Sequence, residues 1–406
     1  MKPEKVLIEV LQKISIPDKE LKIIKNSANE IISKLKKVRL NAEIGGSLAK
    51  NTLVKKKNQD VDIFIKLDKN KINDLEQLVK KTSLAFIKIH GSRDYLQITK
   101  DNIYFELIPV LNFKKPEDAE NVTDFSLVHV KYIRKKISKN KKLADEIRLA
   151  KAFCYANNTY GAESYIGGFS GYALEVLICH YKSFIKFLKA VQKDTIIDPE
   201  NKFKNKSEIM REINQSKLQS PIILIDPTHK YRNICAGLTN ETFNLFLESA
   251  KKFLKSPSMG FFEKQDFDLD NFLKTAKTKK LSVYELEIET DRQEGNIAGT
   301  KMKKFMRYII EELNRKKQEV IYSEFVYLEG RESKAYIAFI RKEIIEIIGP
   351  RLDMKEAIKK FKKVRTKTYS SKGYMCAKEK VSIEDLLKRQ VYVAEGMGVG
   401  FEFRKL

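Results

Sequence analysis

The sequence predicts a multidomain α+β protein: an α/β head, a helical neck, and a body and tail of mixed structure. Three observations carry that expectation. Residues 39–110 alternate between apolar runs of period two and short helical stretches. Residues 125–192 change to an apolar spacing near 3.6, as in DEIRLAKAFCYAN and GYALEVLICHYKSFIKFLKAV, and the chain beyond 259 returns to a mixture. At 406 residues the chain is also too long for one ordinary core and points to about two to four domains.

Taken in order, residues 3–37 read as two amphipathic helices, the first opening on Pro3 at a helix-start position. Residues 45–65, GGSLAKNTLVKKKNQDVDIFI, read as a turn, a short helix and a strand. A helix near 71–82 and strands around 84–90, 94–99 and 103–111 complete a small α/β palm. Helices follow to 192, then the Asn- and Lys-rich NKFKNKS reads as a surface excursion. PIILID is a short strand leading into DPTHKYRN, with a helix over 240–254. Beyond SPSMGFF come a helix near 299–316, strand-like segments at 319–328 and 334–347, a helix at 354–363 and a mixed end. No repeat of fixed period is present.

The segment 45–65 holds most of the chemistry. Asp60, Asp62 and Phe64 point to one side of the strand, and Val61, Ile63 and Ile65 to the other. Two carboxylates therefore stand roughly 7 Å apart on one face by backbone spacing. They repel unless something positive lies between them, and a hard divalent cation is the usual answer. The turn Gly45-Gly46-Ser47 offers backbone N–H groups and a hydroxyl that can hold phosphates beside such a cation. Phosphate cradle plus paired acids means metal-assisted phosphoryl or nucleotidyl transfer. Either motif alone is common by chance; the ordered combination is more specific. IYFELIPVL is a further alternating strand whose one acid is Glu106. A strand after a hairpin commonly lies beside the acid pair, where Glu106 would complete a three-carboxylate site for two cations. The plain alternative is a lone Glu at a sheet edge.

Lys plus Arg number 79 against 54 Asp plus Glu, for a net charge of +25. That excess points to a polyanionic partner, nucleic acid first and membrane surface second, although an AT-biased genome would also enrich Lys. No apolar run is long enough to cross a bilayer, and MKPEKVLIEV lacks the pattern of a signal peptide, so a cytoplasmic protein is expected. The four cysteines, at 154, 179, 235 and 376, form no C-x-x-C pair and read as buried thiols. The four histidines, His90, His129, His180 and His229, do not suggest a zinc site.

The ordered set GGSLAKNT, DVDIF, FELIPV, KAFCYANNTYGAE, GGFSGYALEVLICHYKSF and DPTHKYRN resembles the archaeal-type (class I) CCA-adding enzymes, tRNA nucleotidyltransferases of the polymerase-β superfamily. The resemblance is strong from about residue 20 to 262 and weaker in IGPRLDMKEAIKKFKK; TYGAESYIGGFSGY is its most discriminating string. It implies a polymerase-β-like nucleotidyltransferase head at 1–135 and a helical neck at 136–258. The body would comprise 259–283 and 369–406, with a tRNA-binding tail at 284–368. It implies Mg²⁺ held by Asp60, Asp62 and Glu106, with CTP, ATP and tRNA as partners, no membrane, and a homodimer as an assembly to test. Nucleotide-binding roles fall on Gly46, Ser47, Lys50, Ser126, His129, Lys151, Tyr160 and Arg232, the last with the incoming base. One cation would activate the terminal 3′-hydroxyl of tRNA and the other would neutralise the triphosphate.

Three residues depart from the family pattern. Glu106 stands where the family usually has Asp, Asp60 where it often has Glu, and Lys50 where it commonly has Arg, so a bidentate phosphate fork is lost while the charge is kept. The region after about 365 is also shorter. Other readings are a poly(A) polymerase or oligoadenylate synthetase type of enzyme, an RNA-binding protein with a degenerate site, and an enzyme adding only CC or only A.

Overall fold

The computed structural model describes residues 2–56, 58–90, 93–113, 118–291, 295–328, 330–365 and 367–406. It comprises two compact units, Met1–Gln265 and Asp266–Leu406.

The first unit begins with α1 (Pro3–Ile14) and α2 (Asp18–Lys37), followed by β1 (Asn41–Ile44), α3 (Gly46–Lys50) and β2 (Gln59–Leu67). A 3-10 turn leads to α4 (Leu75–Lys80), and then come β3 (Ile87–Ile89), β4 (Tyr95–Lys100) and β5 (Ile103–Leu111). The five strands form one sheet in the order β1-β2-β5-β4-β3. The pairing of β2 with β5 is parallel, and the others are antiparallel. The period-two pattern holds: Val61, Ile63 and Ile65 are fully buried on one face, with Phe105 and Leu107 of β5. α2 covers that face because Ile24, Ala28, Ile31 and Leu35 recur at helical spacing along one stripe. On the opposite face Phe64 packs with Val110 and Leu127, so one end of the acid-bearing face is closed by apolar contact.

A helical layer follows: α5 (Ser126–Lys139), α6 (Leu143–Ala156), α7 (Gly171–Tyr181) and α8 (Phe184–Ala190). The remaining elements are β6 (Ile196–Ile197), α9 (Lys206–Glu212), β7 (Ile223–Leu224) and α10 (Asn240–Lys255). PIILID thus forms only the two-residue strand β7, parallel to β6. α7 is buried at seven successive positions, Ala173–Cys179, as expected of a helix enclosed on every side. α6, α8 and α10 surround it in one core rich in Phe153, Phe169, Phe184, Phe187, Phe246 and Phe253. Val6 and Val10 place α1 in this helical core, whereas α2 belongs to the sheet. The cysteines are free and buried.

The second unit contains α11 (Leu269–Thr278), β8 (Ser282–Glu289), α12 (Gly295–Arg315), β9 (Glu319–Tyr327) and β10 (Glu332–Ile340). After these come β11 (Ile344–Arg351), α13 (Lys355–Val364), β12 (Thr368–Ser371) and β13 (Tyr374–Lys380), then α14 (Ile383–Lys388), α15 (Val391–Met397) and β14 (Gly400–Lys405). One sheet runs β14-β8-β10-β9 and another β11-β13-β12. Residues 334–347, expected as a single strand, divide between the two sheets. The corner is held by fully buried Gln318, whose amide donates to Lys342 O at 2.9 Å and accepts from Lys342 N at 2.8 Å. The charged run Arg341-Lys342-Glu343 interrupts the apolar pattern at that corner, a break that the expectation of one strand passed over. Among the described residues no helix is long and apolar enough to cross a membrane.

One buried clasp sets the junction between sheet and helices in the first unit. Asp124 is 2 % exposed and receives N–H groups from Leu111, Glu120 and Asn121, together with the Arg93 guanidinium. It therefore ties the end of β5 to the start of α5. Burial pushes its carboxyl up, but Arg93 and the backbone donors outweigh this and hold it below the ordinary range. A depressed carboxyl contributes stability that is present above its unfolded pKa and is lost as pH falls through the folded one. Asp124→Asn removes the carboxylate charge at Arg93, leaving it Glu120 at 3.8 Å and the Pro109 carbonyl at 3.2 Å, and should cost up to about 3–5 kcal/mol. Urea unfolding should show a lower midpoint at neutral pH, with the gap to wild type closing below about pH 4.

Candidate active site

The pleat of β2 turns Asp60 and Asp62 to the face away from the α2 core, and parallel register supplies the third acid. Asp62 lies opposite Glu106, and Asp60 opposite Tyr104. Register partners in a sheet project to the same face from strands about 4.8 Å apart, so Glu106 joins the pair rather than standing at an edge. On the other side of β5, Gln97 of β4 is the register partner of Glu106, two residues from Tyr95. Burial first, and then the charges of Asp62 and Asp60, push the Glu106 carboxyl up to about 7. Burial also raises Asp62; the Lys50 charge holds it back and Asp60 adds to the rise. Two part-buried acids, Asp62 and Glu106, and the more open Asp60 on the same face form an all-oxygen anionic donor set suited to a hard divalent cation. Asp60 is turned onto Lys56 Nζ at 2.8 Å, and among the described residues no three acidic, His or Cys side chains already stand at cage spacing.

The glycine turn is fitted to this face atom by atom. Gly45 N donates to Asp62 O at 2.8 Å. Gly46 has φ +54°, and a Cβ there would lie 1.6 Å from Asp62 Oδ2; a Cβ on Gly45 would meet the Phe64 ring at 2.0 Å. Only glycine lets the turn close directly on the carboxylate. Ser47, the next residue, is half-buried beside it.

Lys50 and Lys151, expected to grip phosphates, meet on a carboxylate that the sequence reading did not single out. Lys50 Nζ donates to Glu175 Oε2 and Lys151 Nζ to Glu175 Oε1, each at 2.7 Å. Lys151 also donates to Thr52 Oγ1 at 3.1 Å, and Thr52 Oγ1 to Glu175 Oε1 at 3.3 Å. Glu175 is fully buried in the middle of α7. Burial works against its charge, yet the two ammoniums outweigh it and hold its carboxyl down to about 2. The loop of TYGAESYIGGFS closes on itself through Gly161 N to Phe169 O (2.9 Å) and Phe169 N to Thr159 O (2.8 Å). It carries Tyr160 back to the start of α7, where the Tyr160 hydroxyl and Lys151 Cε would lie 2.9 and 3.8 Å from a Cβ on Gly171. Burial first raises the Tyr160 hydroxyl to about 12, so it remains a neutral donor. The signal for Glu175 was present in the sequence: it is the one charge within GYALEVLIC.

His129 and Arg232 converge on a second buried carboxylate, Asp226. Arg232 Nη1 donates to Asp226 Oδ2 at 2.8 Å, and His129 Nε2 lies 3.2 Å from the same oxygen. Tyr172 Oη (3.0 Å) and Thr228 N and Oγ1 (2.8 and 2.7 Å) donate to Oδ1. Burial opposes the Asp226 charge, but the His129 and Arg232 contacts keep its carboxyl far below the ordinary range. His129 stacks on Tyr172 at 3.8 Å between centroids, and burial pulls its imidazole below the usual value, which favours the neutral ring. Ser126 opens α5 one turn before His129. Asp226 closes the apolar run IILID before a proline, a position that reads from sequence as a turn residue.

A mixed sheet with acids on parallel neighbouring strands beneath a Gly-Gly-Ser turn, followed by a helical layer, defines a polymerase-β-like nucleotidyltransferase. Solved structures agree at the level of fold. A cytoplasmic RNA terminal U-transferase gives a TM-score of 0.50 at 14% identity, covering 65% of this chain and 98% of that one. A Cid1 poly(U) polymerase with Mg and 3′-dATP bound gives 0.50 at 13% identity, covering 64% and 98%. The profile of the tRNA nucleotidyltransferase second domain matches residues 145–263. The CCA-adding enzyme of Nanoarchaeum equitans is 34% identical over 285 residues, 68% of each chain. That of Pyrococcus abyssi is 29% identical over 372 residues, 86% of this chain and 79% of the relative, and that of Methanocaldococcus jannaschii 28% over 392 residues, 91% and 84%. The chain belongs to the family of CCA-adding enzymes.

Gly46→Ala tests the fit between turn and acid. A displacement of about 1 Å at a reacting group costs about 10²-fold in rate, and this methyl would drive the turn off Asp62. Nucleotide addition should fall by about that factor, and the unfolding midpoint should drop in keeping with the roughly 1–2 kcal/mol that a Cβ at positive φ costs. Gly237→Ala, whose Cβ would sit 3.5 Å from Ala162 O, should stay near wild type in both measurements.

Proposed function

We propose that this protein adds C, C and A to the 3′ end of tRNA from CTP and ATP, with Mg²⁺ held by Asp60, Asp62 and Glu106. The observation that carries the site is the in-register pairing of Asp62 with Glu106 directly under Gly46. The reading of the substrate rests on the relatives named above. Bound there, the divalent cation supplies Lewis-acid charge to the attacking 3′-hydroxyl and to the departing pyrophosphate. The chain's own residues do the rest. Asp60, Asp62 and Glu106 would hold and orient the cation, Glu106 on a longer arm than the other two. Gly46 and Ser47 lie against the triphosphate, with Lys50, Lys151 and Tyr160 as its donors; transfer needs no nucleophilic side chain. His129, neutral and stacked, is a positioning group, with Ser126 beside it on α5.

Support for a role of Arg232 with the base comes from its anchorage: one Nη is committed to Asp226, which fixes the plane of the guanidinium. The remaining N–H groups can then donate to acceptors on either cytosine or adenine. We retain as a proposal the division into head (1–135), neck (136–258), body (259–283 and 369–406) and tail (284–368), the tail holding tRNA by phosphates and 2′-hydroxyls.

Purified protein supplied with tRNA lacking CCA, and with CTP alone, ATP alone or both, should yield a defined CCA end only when both are present. An unbounded A tail would overturn the reading. Asp62→Ala should abolish addition while tRNA binding stays within a few fold. Arg232→Ala should reduce selection of CTP and ATP over UTP and GTP by about tenfold to a hundredfold, the worth of a buried charge-assisted hydrogen bond. A uniform loss of rate across the four nucleotides would reassign Arg232 to phosphate contact.

A further inference from the structure

Glu175 sits where a carboxylate is costly. It is fully buried in a helix whose neighbouring positions are apolar. A buried ion cluster of this kind is often no more stable than an apolar replacement of the same volume, so stability alone does not account for it. Its partners are more telling. Lys50 and Thr52 come from the segment following the glycine turn, Lys151 from α6 and Glu175 from α7, so the carboxylate joins the sheet to the helical layer. Tyr160 and Lys151 approach the same point above Gly171.

We propose that Glu175 is the positioning residue of the triphosphate grip, holding the ammoniums of Lys50 and Lys151 at a fixed spacing toward the β- and γ-phosphates. This rests on the reading of Lys50 and Lys151 as phosphate donors. An ammonium carries three N–H donors. Glu175 takes one from each lysine, Thr52 takes a further one from Lys151, and the remaining donors are thereby aimed. Burial pulls the Lys50 ammonium below its ordinary range, and the Glu175 charge works against that. The shared carboxylate therefore favours a charged Lys50 and offsets its repulsion by Lys151. Lysine, unlike arginine, has no rigid fork of its own. At position 50 the shared carboxylate supplies the geometry that the side chain lacks.

The test reads the phosphates separately from the base. Equilibrium binding of CTP and of CMP to the full chain, with tRNA withheld so that no transfer occurs, gives the ratio Kd(CMP)/Kd(CTP), which reports what the two outer phosphates contribute. Lys50→Met and Lys151→Met should each lower that ratio. Glu175→Gln, which keeps shape but loses charge, should lower it about tenfold, as expected for misaligned charge-assisted hydrogen bonds. Thr52→Val should lower it by a smaller factor with CMP binding unchanged. A Glu175 that merely fills the helical core would weaken both ligands together or lower the unfolding midpoint, leaving the ratio at the wild-type value, and that result overturns the proposal. Should Glu175→Gln fail to fold, Thr52→Val and the retracted Glu175→Asp decide it, and a wild-type ratio in both again overturns it. If the two lysine variants leave the ratio unchanged, the phosphate reading of the lysines fails. If they collapse it while the Glu175 and Thr52 variants do not, the positioning role alone fails.

Discussion

The site depends on one register. β2 and β5 pair in parallel so that Asp62 faces Glu106, although 44 residues separate them in sequence. A slip of one residue would turn Glu106 into the α2 core and bring Phe105 to the acid face, because alternate side chains take opposite sides. The apolar set Val61, Ile63, Ile65, Phe105 and Leu107 on the buried face makes that slip prohibitive. Hydrophobic burial on one face thus fixes the electrostatics of the other. Gly46 completes the constraint, since its missing Cβ is what lets the turn rest on the carboxylate.

Away from the acids, charge in the first unit is organised around buried carboxylates that each hold cationic groups. Glu175 holds Lys50 and Lys151, Asp226 holds Arg232 and His129, and Asp124 holds Arg93. Each carboxylate lies at 0–2 % exposure, where an unpaired charge would be severely penalised. In water such pairs would contribute little and leave the long cationic side chains mobile. Buried, they fix where the ammonium or guanidinium points, and on the function proposed above that orientation is what would meet a phosphate or a base.

The second unit follows a different economy. Its larger sheet joins β8, β9 and β10 to the C-terminal strand β14 around one core, so residues far apart in sequence are held by a single burial event. Within it the buried Glu285 is met by Lys334, Arg404 and the Tyr336 hydroxyl, the same device of a carboxylate enclosed by donors. The smaller sheet presents Ile344 and Ile348 outward, while Ile345 and Ile347 belong to the core.

The sequence by itself determined the period-two face of β2, the acids on it, the glycine turn before it and the change to helical spacing beyond it. Those are local properties: alternation, spacing and the special conformation of glycine act over a few residues and need no partner. It also carried the strings that assign the chain to its family. Tertiary structure alone decided that Glu106 stands beside Asp62, because pairing between distant strands is a contest of whole faces rather than a property of either segment. It decided too that Lys50 and Lys151 share Glu175, and that His129 and Arg232 share Asp226. A lone acid in an apolar helix or before a proline looks the same in sequence whether or not two cations await it. At the corner the charged run Arg341-Lys342-Glu343 was a local signal of a break, but that a buried glutamine turns the chain there from one sheet to the next was decided by tertiary contact.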